Sequence, residues 1–198
     1  MHNTNDLRTF IKAYPFGVLV SSDLTATHLP FIGDIDEEGN VILYSHFARA
    51  NRHWRQLDKK EVMVVLNGPH DYISPRWYVS KPNVPTWNYA AVQLKGCLSI
   101  LDDKKTFDVM ERTFAQFEPT LLTDNFVSTF AYRQKLLSGI VAFKIAITQW
   151  QGKQKLGQQR SLADQQGVVK GLQASNMPSA QGLLHYMQMM QIGLGETR

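Results

Sequence analysis

One cysteine, Cys97, is all that 198 residues contain, so no internal disulfide framework and no cysteine-based zinc cluster can form. A reducing compartment fits this usage, and a cytoplasmic location is expected. Long apolar runs are missing as well. No stretch approaches the roughly 20 residues that span a bilayer, and the polar opening lacks the basic-then-apolar order of a secretory leader. Neither membrane insertion nor secretion is expected. The common catalytic templates are also absent: no G-x-S-x-G elbow, Walker loop, G-x-G-x-x-G fingerprint or H-E-x-x-H pair occurs. The six histidines are scattered without metal-ligand spacing, so no protein-bound metal is expected. Cys97 reads as a small core residue, and no catalytic acid, base or nucleophile stands out.

What is present is the composition of a soluble globular protein, 43% hydrophobic and 19% charged. The net charge of +4 suits a phosphate-bearing ligand, nucleic acid or neither. The length accommodates one main domain, placed at 1–175, with a helical tail at 176–198. Leu7, Phe10, Ile11 and Tyr14 recur at helical spacing behind Asn5 or Asp6 as cap. GVLVSS, ATHLPFIGDI and VILYS then read as an antiparallel meander. HFARANRHWRQL changes period, with Phe47, Ala50, Trp54 and Leu57 on one helical face. EVMVVLNG reads as a strand stopping at Gly68-Pro69. YAAVQLKGCLSILD reads as a long strand with a bend or bulge at Gly96. Phe107, Met110, Phe114 and Phe117 mark a helix, capped by Asp103, that stops before Pro119. Another helix is expected from Phe130 to Leu137. GIVAFKIAITQWQG alternates as a strand, and Ser161 with Asp164 opens a helix running to Leu172. A last helix follows Pro178, and its Met187, Met189 and Met190 are expected at a dimer edge. The expected class is mainly β with peripheral α-helices, a small barrel.

The densest signal lies between Gly68 and Gly96, GPHDYISPRWYVSKPNVPTWNYAAVQLKG. Gly and Pro recur too often for a helix, and the stretch is too aromatic for a disordered linker, so an ordered binding loop is expected. Within it, Pro85 stiffens the approach to Thr86, Trp87, Asn88 and Tyr89. Those rings and polar groups suit either a heteroaromatic ligand or a core with satisfied turns. A second constellation, Ser45 to Asn51, lies where strand becomes helix. It suits a phosphate held by backbone N–H groups with His46, Arg49 and Asn51, or else a Ser45 cap beside a solvated arginine. The third, Lys153 to Arg160, suits cationic ligand contacts or a solvated charge run.

HFARANRHW, GPHDYISPRWY, VPTWNYAAVQLKG and KLGQQR occur in an order that resembles the PaiB family of flavin-binding regulators, from about Phe16 to Leu172. The resemblance implies an FMN-binding split β-barrel related to pyridoxamine-phosphate oxidase, a homodimer with FMN at the subunit interface. It implies that His46, Arg49, Ala50 and Asn51 lie near the FMN phosphate and ribityl chain. Thr86, Trp87, Asn88 and Tyr89 fall beside the cofactor and dimer interface, while Lys155, Gln158 and Arg160 belong to a polar motif approaching the flavin from the partner subunit. Two departures stand out: Gly157 and Gln159 replace the Ser and Asn of a KLSQN-like run. The Tyr-x-Pro start before the first helix is missing too.

The function implied is transcriptional or metabolic regulation. A flavin-dependent oxidoreductase acting on a small molecule is the alternative, and a haem-binding split barrel a third. Arg52, Arg55, Lys59 and Lys60 are the residues on which direct nucleic-acid binding would depend, but no reading head accompanies them.

Overall fold

The computed structural model describes residues 3–123 and 129–196. The outer ends of the expected 1–175 and 176–198 segments lie outside these residues. Seven strands form one sheet in the order β2-β1-β5-β6-β7-β4-β3. They are β1 (Phe16–Ser21), β2 (Ala26–Pro30), β3 (Ile32–Ile35), β4 (Val41–Ala48), β5 (Glu61–Ile73), β6 (Thr86–Ile100) and β7 (Ile140–Lys155). The helices are α1 (Thr4–Ala13), α2 (Asp103–Phe117), α3 (Phe130–Gly139), α4 (Leu162–Gln173) and α5 (Pro178–Met190). The chain divides into two compact units, one of His2–Leu66 with Gln93–Gln151, the other of Asn67–Val92 with Gly152–Arg198. The long strands β5, β6 and β7 each contribute residues to both.

In the first unit β1 pairs antiparallel with β2 and β5, and β4 with β3 and β7. Alternate residues Val41, Leu43, Ser45 and Phe47 turn inward, and the Phe47 ring lies 4.8 Å from that of Phe143. This period of two overrides the helical reading of HFARANRHWRQL. The chain stays extended through Ala48, and only Arg52–Gln56 form a short 3-10 turn. Ser45 accordingly caps nothing: its Oγ donates to the Pro30 carbonyl at 2.6 Å. Asn3 caps α1, two or three residues earlier than expected, and Leu7, Phe10 and Ile11 are buried. The buried stripe of α2 is Thr106, Val109 and Met110, rotated from the expected phenylalanine row, and Phe117 remains exposed. On the same helix Arg112 donates to Asp34 and lies over the Tyr44 ring at 4.9 Å. At Gly96 the strand is uninterrupted, and a Cβ would sit 2.2 Å from the Ala146 carbonyl oxygen. Close strand approach, rather than a break in β6, requires this glycine.

In the second unit β5 runs through Gly68-Pro69 instead of ending there. Proline is compatible with extended backbone wherever no ladder donor is needed. The loop 74–85 is pinned to the start of α4. The Asp164 carboxylate accepts from the backbone N–H groups of Val79 (2.8 Å) and Ser80 (2.9 Å) and from the Ser80 hydroxyl (2.6 Å). Hydrogen bonds from the Ser80 hydroxyl and N–H hold this carboxyl below its ordinary range. Trp77 lies against a ledge made by Gly167 and Gly171 on α4, where a Cβ would approach its carbonyl oxygen or its ring to within 2.2 Å. Of Met187, Met189 and Met190, Met187 is buried within this unit while Met189 is exposed, so the three do not share one outer edge. After α5, the Gln165 Oε1 accepts from the Gly195 N–H at 3.0 Å and Gln166 Nε2 donates to its carbonyl at 2.9 Å.

Candidate functional site

The expected phosphate corner lies in the first unit, displaced to residues 48–53 by the length of β4. His46 stands half-buried on that strand, and burial pushes its imidazole below its ordinary value. Arg49 donates from Nε to the Ser138 carbonyl at 2.7 Å and from Nη2 to that of Ile140 at 2.8 Å. It thereby caps the last turn of α3 with a positive charge, which the helix dipole favours. Ala50 is exposed. Asn51 Oδ1 accepts from the His53 N–H at 3.0 Å, making Asn51 the cap of the 3-10 turn.

Behind this corner lies a polar core whose members are too far apart in sequence for spacing to assemble. His53 is buried, its Nε2 2.7 Å from Ser21 Oγ and its Nδ1 2.8 Å from Thr27 Oγ1. Ser21 Oγ also donates to Asp23 Oδ1 at 2.5 Å. Because a carboxylate only accepts, the Ser21 proton is directed at Asp23 and its oxygen accepts from His53 Nε2–H. Nδ1 then accepts the Thr27 proton, and Thr27 Oγ1 receives Asn51 Nδ2 at 3.4 Å. The pair is therefore no activated nucleophile: the serine proton faces a carboxylate instead of the imidazole. Among the described residues no cluster of three or more His, Cys, Asp or Glu side chains is arranged to hold a metal ion.

The first unit also carries an open surface cavity of about 410 Å³ lined by Gln93, Lys95, Gln149, Trp150 and Gln151, all of them exposed except half-buried Trp150. Alternation along β6 places Gln93 and Lys95 on its outward face, opposite buried Val92 and Leu94. None of the five was singled out from sequence. The sequence signal for them is the Q-W-Q run just before the KLGQQR motif, which alternation alone marks only as strand.

In the second unit Thr86, Trp87, Asn88 and Tyr89 form the first residues of β6. Lys155 Nζ donates to Thr86 Oγ1 at 2.5 Å. Trp87 is 52% exposed and its ring lies 5.9 Å from that of His70 and 6.4 Å from that of Tyr72. Tyr89 is half-buried. Asn88 points the other way, 2% exposed, and its Nδ2 has no hydrogen-bond partner. Gln158 closes the following turn, accepting from the Leu156 N–H at 2.8 Å and donating to the Gln154 carbonyl at 2.7 Å. Arg160 donates to Asn83 Oδ1 at 2.8 Å and lies over the Tyr78 ring at 4.7 Å. The structure thus joins Thr86 to Lys155 directly, while Gln158 and Arg160 are held by other neighbours.

These donor sets suit a flavin. An isoalloxazine ring needs a flat apolar face and amide groups that both donate and accept along its pyrimidine edge. The indole and three glutamines of the cavity supply both, Lys95 adds a cation, and the volume lies within the range of small-molecule sites.

A family model described as "Putative FMN-binding domain" matches residues 1–149. The chain is 34% identical over 194 residues to the "Protease synthase and sporulation protein PAI 2" of Bacillus subtilis (strain 168), with 94% of this chain and 92% of the relative covered. Among solved structures, the flavocytochrome Anf3 from Azotobacter vinelandii superimposes with a TM-score of 0.62 at 14% identity, covering 79% of this chain and 69% of its own. The FAD and heme binding protein from Mycobacterium smegmatis does so with a TM-score of 0.61 at 16% identity, covering 79% and 73%. At these identities the two structures are similar in fold alone.

Proposed function

Since the chain belongs to the PaiB family of FMN-binding domains, we propose that this flavin-binding split-barrel protein acts as a homodimeric regulator of transcription or metabolism whose state depends on FMN. The cavity lined by Gln93, Lys95, Gln149, Trp150 and Gln151 carries the reading, because it supplies an indole face and amides of both polarities to a ring that needs both. Bound FMN supplies redox chemistry at its isoalloxazine ring.

His46, Arg49, Ala50 and Asn51 are assigned to the phosphate and ribityl chain. Arg49 is well suited: its Nε and Nη2 are used on α3, and a fixed guanidinium gives up little rotamer entropy when it meets a phosphate. Thr86 to Tyr89, with Lys155, Gln158 and Arg160, are assigned to the cofactor from the partner copy, so the site is complete only in the dimer. A regulator of this design responds to FMN only so far as the ligand prefers one arrangement of the dimer. The Bacillus subtilis relative is named a protease synthase and sporulation protein, and the mention of sporulation is in keeping with a regulatory role. A cytoplasmic setting accompanies it. Among the described residues no helix is long and apolar enough to cross a membrane.

The test is a titration of purified protein with FMN and with riboflavin, followed by flavin fluorescence, alongside sedimentation analysis. FMN is expected to bind at least about tenfold more tightly than riboflavin, and the bound species to sediment as a dimer. Arg49→Ala is expected to narrow the FMN preference. Equal affinity for the two flavins in a stable monomer would contradict the assignment.

A further inference from the structure

Helix α5 ends on Gln191, whose backbone is left-handed at φ +54°, and the Ile192 N–H returns to the Met187 carbonyl at 3.1 Å. This turn directs the chain back over the second unit. Gly193 and Gly195 are both buried and both held at φ +74°, a conformation that side-chain-bearing residues rarely adopt. They also lie where no side chain fits. A Cβ on Gly193 would stand 2.2 Å from the Leu156 carbonyl oxygen, and one on Gly195 would stand 2.5 Å from that of Leu162. The G-L-G run therefore presses its backbone onto both flanks of the turn 157–161.

One buried amide joins the two segments. Gln165 is 8% exposed, and the ends of its side chain hold different stretches of chain. Oε1 accepts from the Gly195 N–H at 3.0 Å, while Nε2 donates to the Arg160 carbonyl at 2.7 Å. An N–H can meet only the oxygen and a carbonyl only the nitrogen, so the amide has one orientation that satisfies both. If either partner withdraws, the vacated end carries the desolvation cost of an unpaired buried group, and the hold on the other partner weakens with it. Within the turn, the Arg160 N–H donates to the Gly157 carbonyl at 2.9 Å and the Leu156 N–H to Gln158 Oε1 at 2.8 Å. These bonds depend on where Arg160 is held.

We propose that residues 191–196 form a strap that sets the geometry of the Lys155–Arg160 turn through Gln165, which makes Gln165 a positioning residue for the ligand met by that turn. Neither Gln165 nor the strap is among the residues assigned to the cofactor. The effect on the turn rests on geometry alone, and the effect on affinity rests on the flavin reading above. A merely structural glutamine would behave differently, because its loss would loosen the surrounding helices and strands along with the turn.

The experiment is residue-resolved amide hydrogen exchange on the full chain, with FMN titration followed by fluorescence. In wild type the Gly195 and Arg160 amides are expected to open together, with protection within about threefold of each other. Gln165→Met keeps the length of the side chain and removes both hydrogen bonds. Gly195→Ala leaves Gln165 in place and unseats the strap with its Cβ. In both variants exchange at Leu156 and Arg160 is expected to rise about tenfold or more, while amides in α5 and in β6 keep their wild-type rates. FMN affinity is expected to fall about 3- to 10-fold in both, as a less ordered turn must be fixed on binding. Slow exchange at Leu156 and Arg160 in Gly195→Ala overturns the strap, as does faster exchange spread evenly through β6. Protection at Gly195 and Arg160 differing more than about tenfold in wild type also overturns it, without recourse to any variant. A loosened turn with unchanged FMN affinity overturns the positioning role of Gln165. Wild-type protein that takes up no FMN overturns the flavin reading and that positioning role, whereas the exchange rates still decide the strap.

Discussion

His53 is the residue whose role depends most on protonation. Its ring is buried between two hydroxyls, each bond directed by the neutral form with the proton on Nε2. Burial holds the imidazole below its ordinary value of 6.5, while the Asp23 carboxylate pulls the other way. Because the folded value is the lower one, the folded state binds fewer protons than the unfolded chain. Its stability contribution is therefore complete above pH 6.5 and is lost as pH falls towards the folded value. Melting temperature measured from pH 7.5 to about pH 5 is expected to decline in wild type. The decline should be shallower in His53→Gln, which cannot titrate. An equal decline in both would assign it elsewhere. Sequence spacing gave no hint of this cluster, since Ser21 and Thr27 lie 32 and 26 positions away and only the β1–β2 hairpin brings them to the 3-10 turn. Asn88 is the reverse case. Its segment was legible from its prolines and aromatics, but its missing partner is a property of three-dimensional packing.

Elements were most legible where one period governed the segment. α1, α5 and β7 carry clear patterns, and the start of α4 was visible in Ser161 and Asp164, whose N–H the Ser161 hydroxyl accepts at 3.2 Å. β4 was misread because Phe47, Ala50, Trp54 and Leu57 fit a helical face while Val41, Leu43 and Phe47 fit a strand. The second pattern prevails because β4 is paired on both sides, with β3 and β7. α4 carries a feature that composition alone obscures. Gly167 and Gly171 lower its intrinsic helix propensity, yet both are needed where Trp77 packs. Gly171→Ala would place a Cβ 2.2 Å from the indole Cδ2, and is expected to cost about 1–3 kcal/mol from overpacking despite the gain in propensity. Thermal unfolding should show a loss of several degrees. A variant as stable as wild type would show that Trp77 does not rest on this ledge. Asp164 offers a second check on the same element. Its folded value lies below the ordinary 3.8, so its clamp on Val79 and Ser80 is intact above that pH and weakens as acid protonates it.

For the whole molecule, the fold class followed from alternating strands and short connections, and the family resemblance added the split-barrel form. The division into two units was not legible, because the long strands cross it without any linker-like composition. A ligand that binds only the folded protein stabilises it by mass action. At a hundredfold excess over Kd the gain is about 2.7 kcal/mol, or about 5–10 °C in melting temperature for a chain of this size. FMN is expected to give that shift, and riboflavin at the same concentration a smaller one. Because the proposed site needs two copies, the shift should also grow with protein concentration, which a monomeric site would not show.

Four tryptophans occur in the chain, and three of them stand in contrasting places: Trp77 on its glycine ledge, Trp87 open to solvent, Trp150 at the cavity wall. Each therefore has its own spectroscopic signature. Indole emission overlaps flavin absorption, so a ring lodged against Trp150 will darken that residue by energy transfer, while an aqueous quencher such as iodide reaches Trp87 first. Single Trp→Phe replacements turn the protein into its own set of optical probes, reporting cofactor uptake, surface access and unfolding without any added dye.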